Sequence, residues 1–156
     1  TEPEEAFRFT CVVSRNILFI TLALCLLLVV GGRHLILLAF GDLYTASVAP
    51  MLILLPGAAL RTLYIILTRN FSSRDRQEMS ILAAAVALGF NGTLNLILAP
   101  RYGVLGAALA VSVAYASSGL VLLSAFVRDS GLPWHQAVFP RQGDLVYYRR
   151  LLGVRA

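Results

Sequence analysis

The sequence predicts an all-α fold, an integral membrane helical bundle of four transmembrane helices. Hydrophobic residues make up 58% of the 156 positions and charged residues only 13%, whereas soluble domains carry roughly 25% charged residues. Four long stretches are almost free of charge, and a helix needs about 20 mostly apolar residues to cross a bilayer. Such a bundle can bury a core while lipid, rather than water, surrounds its outer faces.

The four apolar stretches predict spans over residues 16–32, 46–67, 80–99 and 104–127. Arg33 and His34 mark the far end of the first span. Residues 35–40 are too short to cross alone, so we expect them at the interface or packed on the bundle. Pro56 and Gly57 predict a bend near the middle of the second span, because a proline inside a helix frees a carbonyl. Neighbouring groups must satisfy the freed backbone for a membrane to tolerate such a bend.

Turn residues separate the second, third and fourth spans. Asp75 and Glu78 have the spacing of a capping box at the start of the third helix. Pro100 lacks an N–H and disfavours helix at the residue before it, so we expect the third helix to stop near Ala99. The fourth span carries small residues at four-residue spacing, which predicts close packing against a neighbouring backbone. These residues are Gly106, Ala110, Ala114 and Ser117 or Ser118.

Residues 131–156 differ in kind from the transmembrane segment over residues 1–130. Trp134 and His135 suit an interfacial position. Asp144 is suited to capping a short amphipathic helix over residues 145–152. The sequence therefore predicts a cytoplasmic juxtamembrane tail that ends on the membrane surface.

The distribution of positive charge predicts the orientation. The net charge is +5, and all thirteen basic residues are arginines. With the N-terminus inside, the inner segments hold Arg8, Arg15, Arg69, Arg74, Arg76, Arg128, Arg141, Arg149, Arg150 and Arg155. The outer turns hold only Arg33 and Arg101. Because cytoplasmic loops carry an excess of positive charge, we expect a multi-pass protein with both termini in the cytoplasm.

The residue types present and their positions also argue against several function classes. The arginines lie mostly in the loops between spans, which favours a topological role over nucleic-acid binding. Cys11 and Cys25 have no CxxC spacing and predict small packing residues rather than a metal site. No Ser/His/Asp set, paired carboxylates or glycine-rich phosphate loop is present, so we expect no enzyme activity and no cofactor. No Asp or Glu lies within a span, which argues against a proton- or cation-coupling carboxylate there.

Arg61 is the first candidate binding residue. It lies about five residues past the middle of the second span, with Thr62 and Tyr64 within one turn. A central arginine costs roughly 2.5–3.5 kcal/mol against lipid. One interpretation is an anion contact in a polar cavity, since guanidinium pairs well with phosphate. The other is a side chain that snorkels to the interface or bonds the carbonyls freed at Pro56.

Asn91 and Asn95 are the second candidates, because they share one face of the third helix. They would line a hydrophilic path in a transporter. We favour the simpler interpretation of interhelical hydrogen bonds, which average about 0.6 kcal/mol in membranes.

The hairpin sequence resembles a known family. The pattern N-x-x-L-N-x-x-L-x-P-R-Y-G-x-x-G-A-A over residues 91–108 resembles the C-terminal part of the polysaccharide (O-antigen type) flippases. These belong to the multidrug, oligosaccharidyl-lipid and polysaccharide exporter superfamily. The element F-G-x-x-Y-x-A, from Phe40 to Ala46, is similar to the turn before the preceding helix. The resemblance extends loosely over residues 7–130.

The resemblance implies a fragment of a larger transporter of about 12–14 helices. Such a transporter moves lipid-linked oligosaccharide from the cytoplasmic to the outer leaflet of a bacterial inner membrane by alternating access. The start at Thr1, without Met and with an acidic Glu2 and Glu4, fits the expectation that N-terminal helices of the transporter are missing. Two alternatives stay open: a multidrug-type exporter of the same superfamily, and a stand-alone four-span scaffold protein.

Overall fold

The predicted four-helix architecture is confirmed. The structure is a computed structural model, and it describes residues 2–131. Its elements are α1 (Glu2–Phe40), a 3₁₀-helix (Asp42–Ser47), α2 (Val48–Ser72), α3 (Gln77–Tyr102) and α4 (Val104–Ser130). All four α-helices of this part of the chain are long and apolar enough to cross a membrane. The predicted tail helix over residues 145–152 lies outside the described residues.

Helix α4 is the centre of the arrangement. It packs extensively against both α2 and α3, which contact each other only slightly, and α1 packs on α2. Close approach to α4 depends on glycines. A Cβ atom at Gly119 would lie 2.3 Å from the Leu60 carbonyl oxygen of α2, and one at Gly106 would lie 2.2 Å from the Leu98 carbonyl oxygen of α3. The predicted packing role of the small residues on α4 is therefore confirmed.

Helix α1 is longer than its apolar stretch predicts. Its 39 residues correspond to roughly 58 Å, well beyond the roughly 30 Å of hydrocarbon. Residues 35–40, which we expected at the interface or packed on the bundle, form the last turns of the same helix. After Pro3, no proline occurs before the last residue of α1, Phe40. Gly41, with φ 81°, then ends the helix.

The third helix does not stop at Ala99. Pro100 lies inside α3, which ends at Tyr102. Gly103 has φ 58°, and its N–H donates to the Ala99 carbonyl at 2.8 Å. Proline fixes its own φ at a helical value and so permits a final turn, whereas the reversal into α4 needs a positive φ that glycine adopts without strain. Gly103, rather than Pro100, therefore sets the end of α3.

The predicted capping box at Asp75 is also wrong. Asp75 has φ 55°, and the first residue of α3 follows Arg76, with no side-chain cap. The Arg76 N–H donates to the Phe71 carbonyl at 3.0 Å, and the Asp75 N–H donates to the Ser72 carbonyl at 3.3 Å. These two bonds form the Schellman arrangement, in which a left-handed residue closes a helix. Asp75 therefore terminates α2 instead of starting α3.

Side chains from neighbouring helices contact the backbone next to Pro56. The Gly57 N–H donates to the Ser112 hydroxyl of α4 at 3.1 Å. Gly57 also lies where α2 and α4 approach closely, because a Cβ atom on it would be 2.6 Å from the Ser112 Cα atom. On the α1 side, the Cys25 thiol lies 3.8 Å from the Leu55 carbonyl oxygen. Hydrogen-bond partners from two helices thus surround the proline.

The buried core is concentrated at one end of the bundle. We call this the basic end; it contains the start of α1, the α2–α3 turn and the end of α4. Phe7 and Phe126 meet edge to face there, with ring centroids 5.6 Å apart. The remaining large buried side chains nearby include Leu63, Leu67, Phe71 and Leu122. Away from this end, most apolar side chains of α1 and α3 are exposed, as suits a lipid-facing surface.

An ion pair joins the α2–α3 turn to α4 at the basic end. Arg76 pairs with Asp129, and more weakly with Glu78 at 3.4 Å. The hydrogen bond to Asp129, and then that to Glu78, raises the pKa of Arg76. A raised arginine pKa means that the stabilisation is present at physiological pH and is lost as the pH rises to strongly alkaline values, where the guanidinium loses its proton.

We expect Asp129→Asn to lower the melting temperature of the purified protein, and the loss to shrink at high salt, where ion pairs are screened. Glu78→Gln is the matched control, because Glu78 is more exposed than Asp129, and its effect should be smaller. Equal effects of the two variants, or a loss independent of salt, would contradict a role for the Arg76–Asp129 pair.

Candidate functional site

Arg61 lies at the middle of α2. It is the fourteenth of the 25 residues of the helix, because α2 continues beyond the apolar stretch to Ser72. Its side chain is exposed on the outside of the bundle. The guanidinium carbon lies 4.3 Å from the centroid of the Tyr115 ring on α4. Tyr115 is the twelfth of the 27 residues of α4, so cation and ring occupy the middle of their helices.

The contact with Tyr115 orients Arg61 without using up its capacity to bind an anion. A cation over an aromatic face gains about 0.5–2 kcal/mol, with the larger value in a desolvated setting. Among the described residues, no hydrogen bond or ion pair involves the Arg61 guanidinium. Its five N–H donors therefore remain available within this part of the chain. The end of α2 lies eleven residues away, roughly 16 Å along the helix axis, and the guanidinium contacts Tyr115 rather than the turn.

Thr62 and Tyr64, which lie within one turn of Arg61 in the sequence, make their contacts on other faces of α2. The Thr62 hydroxyl donates to the Ala58 carbonyl at 3.2 Å and lies 3.4 Å from the Thr21 hydroxyl of α1. Tyr64 is half-buried and lines a cleft nearer the basic end. Arg61 instead contacts the Tyr115 ring, which the sequence does not indicate because the pairing of α2 with α4 is defined only by tertiary packing.

Asn91 and Asn95 form a pair on α3. The Asn95 amide donates to the Asn91 side-chain oxygen at 2.7 Å, and both residues are half-buried. This is a hydrogen bond within one helix, unlike the interhelical bonds that we favoured. The structure does not bring the pair to Arg61, because α4 lies between α2 and α3. The three candidates thus form two separate polar sites.

Two clefts at the basic end were not anticipated. The large cleft, about 450 Å³, lies between α1 and α2. It is lined by Phe9, Thr10, Val13, Ile17, Ile65, Ile66, Arg69, Asn70 and Ser73. The small cleft, about 400 Å³, lies along α2 and is lined by Tyr64, Ile65, Thr68, Arg69 and Ser72. Ile65 and Arg69 belong to both clefts.

Buried polar groups accompany the large cleft. Asn70 is 7% exposed, and its amide donates to the Thr10 hydroxyl at 2.8 Å. Arg15, which the sequence placed in an inner segment, is also only 7% exposed. The sequence contained a signal for this packing. Leu63, Leu67 and Phe71 recur at four-residue spacing, which carries the buried face of α2 beyond the predicted span over residues 46–67.

The remaining chemistry-bearing groups are dispersed. Within residues 2–131, no three His, Cys, Asp or Glu side chains lie together as a metal site would require. Among the described residues, the arrangement offers hydrogen-bond donors and a cation in the middle of a candidate membrane span. Comparisons with protein-family models, with curated proteins and with solved structures find no match for this chain.

Proposed function

We propose that the chain is part of a membrane transporter that flips lipid-linked oligosaccharide from the cytoplasmic to the outer leaflet by alternating access. The single observation that carries this proposal is Arg61, a cation exposed at the middle of a helix long enough to span the membrane. Its substrate would be the pyrophosphate that links the sugar to the lipid. The basic end would then face the cytoplasm of a bacterial inner membrane.

The physical argument rests on the cost of a charge in hydrocarbon. An exposed arginine at mid-membrane depth is unfavourable against lipid, so its position favours a polar cavity on that face of α2. Guanidinium binds phosphate oxygens through paired N–H donors. Tyr115 holds the guanidinium at this depth, which limits the entropy lost when an anion binds.

The sequence resemblance supports the transporter class by a separate route. Its two glycines, Gly103 and Gly106, have clear roles in the α3–α4 hairpin, as the positive-φ residue and the close backbone contact. The resemblance therefore supports a helical hairpin of the same kind in this chain and in the flippases. Asn91 and Asn95 in the same pattern add a polar patch to α3, to which we assign a supporting role along the path of the sugar.

The test of this function is deletion of the gene and complementation with the intact gene. We expect the deletion strain to lose surface polysaccharide and to accumulate lipid-linked oligosaccharide in the cytoplasmic leaflet, with both effects reversed by complementation. Unchanged polysaccharide together with altered drug susceptibility would favour the multidrug-type exporter. Unchanged polysaccharide and unchanged susceptibility would contradict transport and favour the scaffold protein.

A further inference from the structure

Arg69 lies on the ridge between the two clefts at the basic end. It lines both the large cleft and the small cleft, and its side chain is exposed. Among the described residues, the large cleft lies between α1 and α2, the small cleft is lined by α2, and Arg69 borders both. A ligand with one anionic group and two apolar chains would place the anion at Arg69 and one chain in each cleft.

The large cleft changes in polarity along its length. On α2 it runs from Ile65 to Ser73, eight residues or roughly 12 Å, which fits within one leaflet of about 15 Å, half of the hydrocarbon thickness. Towards the end of α2 it is polar, where Asn70 meets Thr10. Towards the middle of the membrane its lining is aliphatic. This is the polarity order of a lipid, with its headgroup at the surface and its chain inside.

The charges at the basic end also favour an anion at Arg69. Arg76 is paired with Asp129 and Glu78, and Arg74 lies over the Phe7 ring with its guanidinium carbon 4.3 Å from the centroid. In contrast, no ion pair to Arg69 exists among the described residues. The Thr68 hydroxyl, which can donate a hydrogen bond to an anion, is buried without a hydrogen-bond partner in this part of the chain.

We infer that these clefts bind one anionic glycerophospholipid. Its phosphate contacts Arg69, one acyl chain lies in the large cleft along Val13 and Ile17, and the other lies in the small cleft beside Tyr64. The occupant is a lipid of the leaflet at the basic end, held as a resident ligand. The inference is independent of the proposed transport function, because it concerns Arg69 and not Arg61.

The test measures lipid binding to the purified full chain by native mass spectrometry. The probes are dioleoyl phosphatidylglycerol, which is anionic, and dioleoyl phosphatidylcholine, which has the same chains and no net charge. We expect phosphatidylglycerol to bind about fivefold more tightly, as one basic residue near a charged lipid surface provides. Arg69→Ala should remove this preference. Arg128→Ala, which removes an exposed arginine outside both clefts at the same end, should keep it.

Two further measurements separate the headgroup from the chains. Val13→Trp fills the large cleft and should weaken binding of both lipids, while the preference for the anionic one persists. Glycerol 3-phosphate, which has no chains, should not displace the lipid. If Arg69→Ala does not yield a monodisperse protein on gel filtration, Arg69→Gln replaces it.

The inference is overturned if the wild-type chain shows no preference, or if Arg128→Ala removes it as fully as Arg69→Ala does. It also fails if Val13→Trp has no effect on binding, or if glycerol 3-phosphate displaces the lipid, since a bare anion site would then explain the data. Occupation of the clefts by residues 132–156 would appear as absence of lipid binding and would equally contradict it.

Discussion

Arg61→Ala is expected to lower export of lipid-linked oligosaccharide by about tenfold or more while the protein remains at normal levels in the membrane. Hydrogen bonds to charged groups contribute about 1.5–3 kcal/mol, and about 1.4 kcal/mol corresponds to a factor of ten. Removing a mid-membrane arginine also removes an insertion cost, so this change should not impair insertion. A loss of export with unchanged or increased protein is therefore a loss of function and not of folding.

Four variants sharpen this measurement. Arg61→Lys keeps the charge but loses the paired donors, so export should fall between the wild-type and Arg61→Ala values. Tyr115→Phe keeps the ring beneath the guanidinium and should preserve export, whereas Tyr115→Leu should reduce it. Arg101→Ala removes an exposed arginine in the last turn of α3 and serves as the charge-matched control. Normal export by Arg61→Ala would reject the role proposed for Arg61 and favour a purely structural contact with Tyr115.

Gly119→Ala is expected to have a large effect on stability. The added Cβ would lie 2.3 Å from the Leu60 carbonyl oxygen and 3.0 Å from the carbonyl carbon. Both are backbone atoms, so α2 and α4 must separate. Forcing extra atoms into a packed contact costs about 1–3 kcal/mol. The melting temperature in detergent should fall, and because Arg61 and Tyr115 lie across the same α2–α4 contact, export should fall with it.

Gly89→Ala is the matched control for this stability prediction. The substitution is identical and also lies within a helix, but a Cβ at Gly89 has no neighbour within 4 Å. Alanine is favoured over glycine in a helix interior by about 1 kcal/mol, so Gly89→Ala should be neutral or stabilising. If both variants shift the melting temperature alike, the α2–α4 contact does not depend on Gly119.

The hydrophobic pattern of the sequence predicted much of the architecture. Four apolar stretches were enough to predict four helices, because in a bilayer every backbone group must be satisfied within its own segment. Helix α4 ends at Ser130, three residues beyond the predicted span, and Gly131 follows it with φ 65°. The predicted ends of the second and third helices were wrong, because α2 continues to Ser72 and α3 to Tyr102. Asp75 and Gly103 adopt backbone conformations with positive φ, which the flanking proline and capping patterns do not reveal.

The sequence by itself determined the class of this protein, the number of its spanning helices, the small residues of α4 and the presence of a central arginine in α2. Only the tertiary structure decided what those features meet. It placed Tyr115 under Arg61, set α4 between α2 and α3 so that Asn91 and Asn95 lie apart from Arg61, and opened two clefts beside Arg69. Periodicity identifies which face of a helix is apolar or small, but the partner of that face depends on packing between residues distant in the chain.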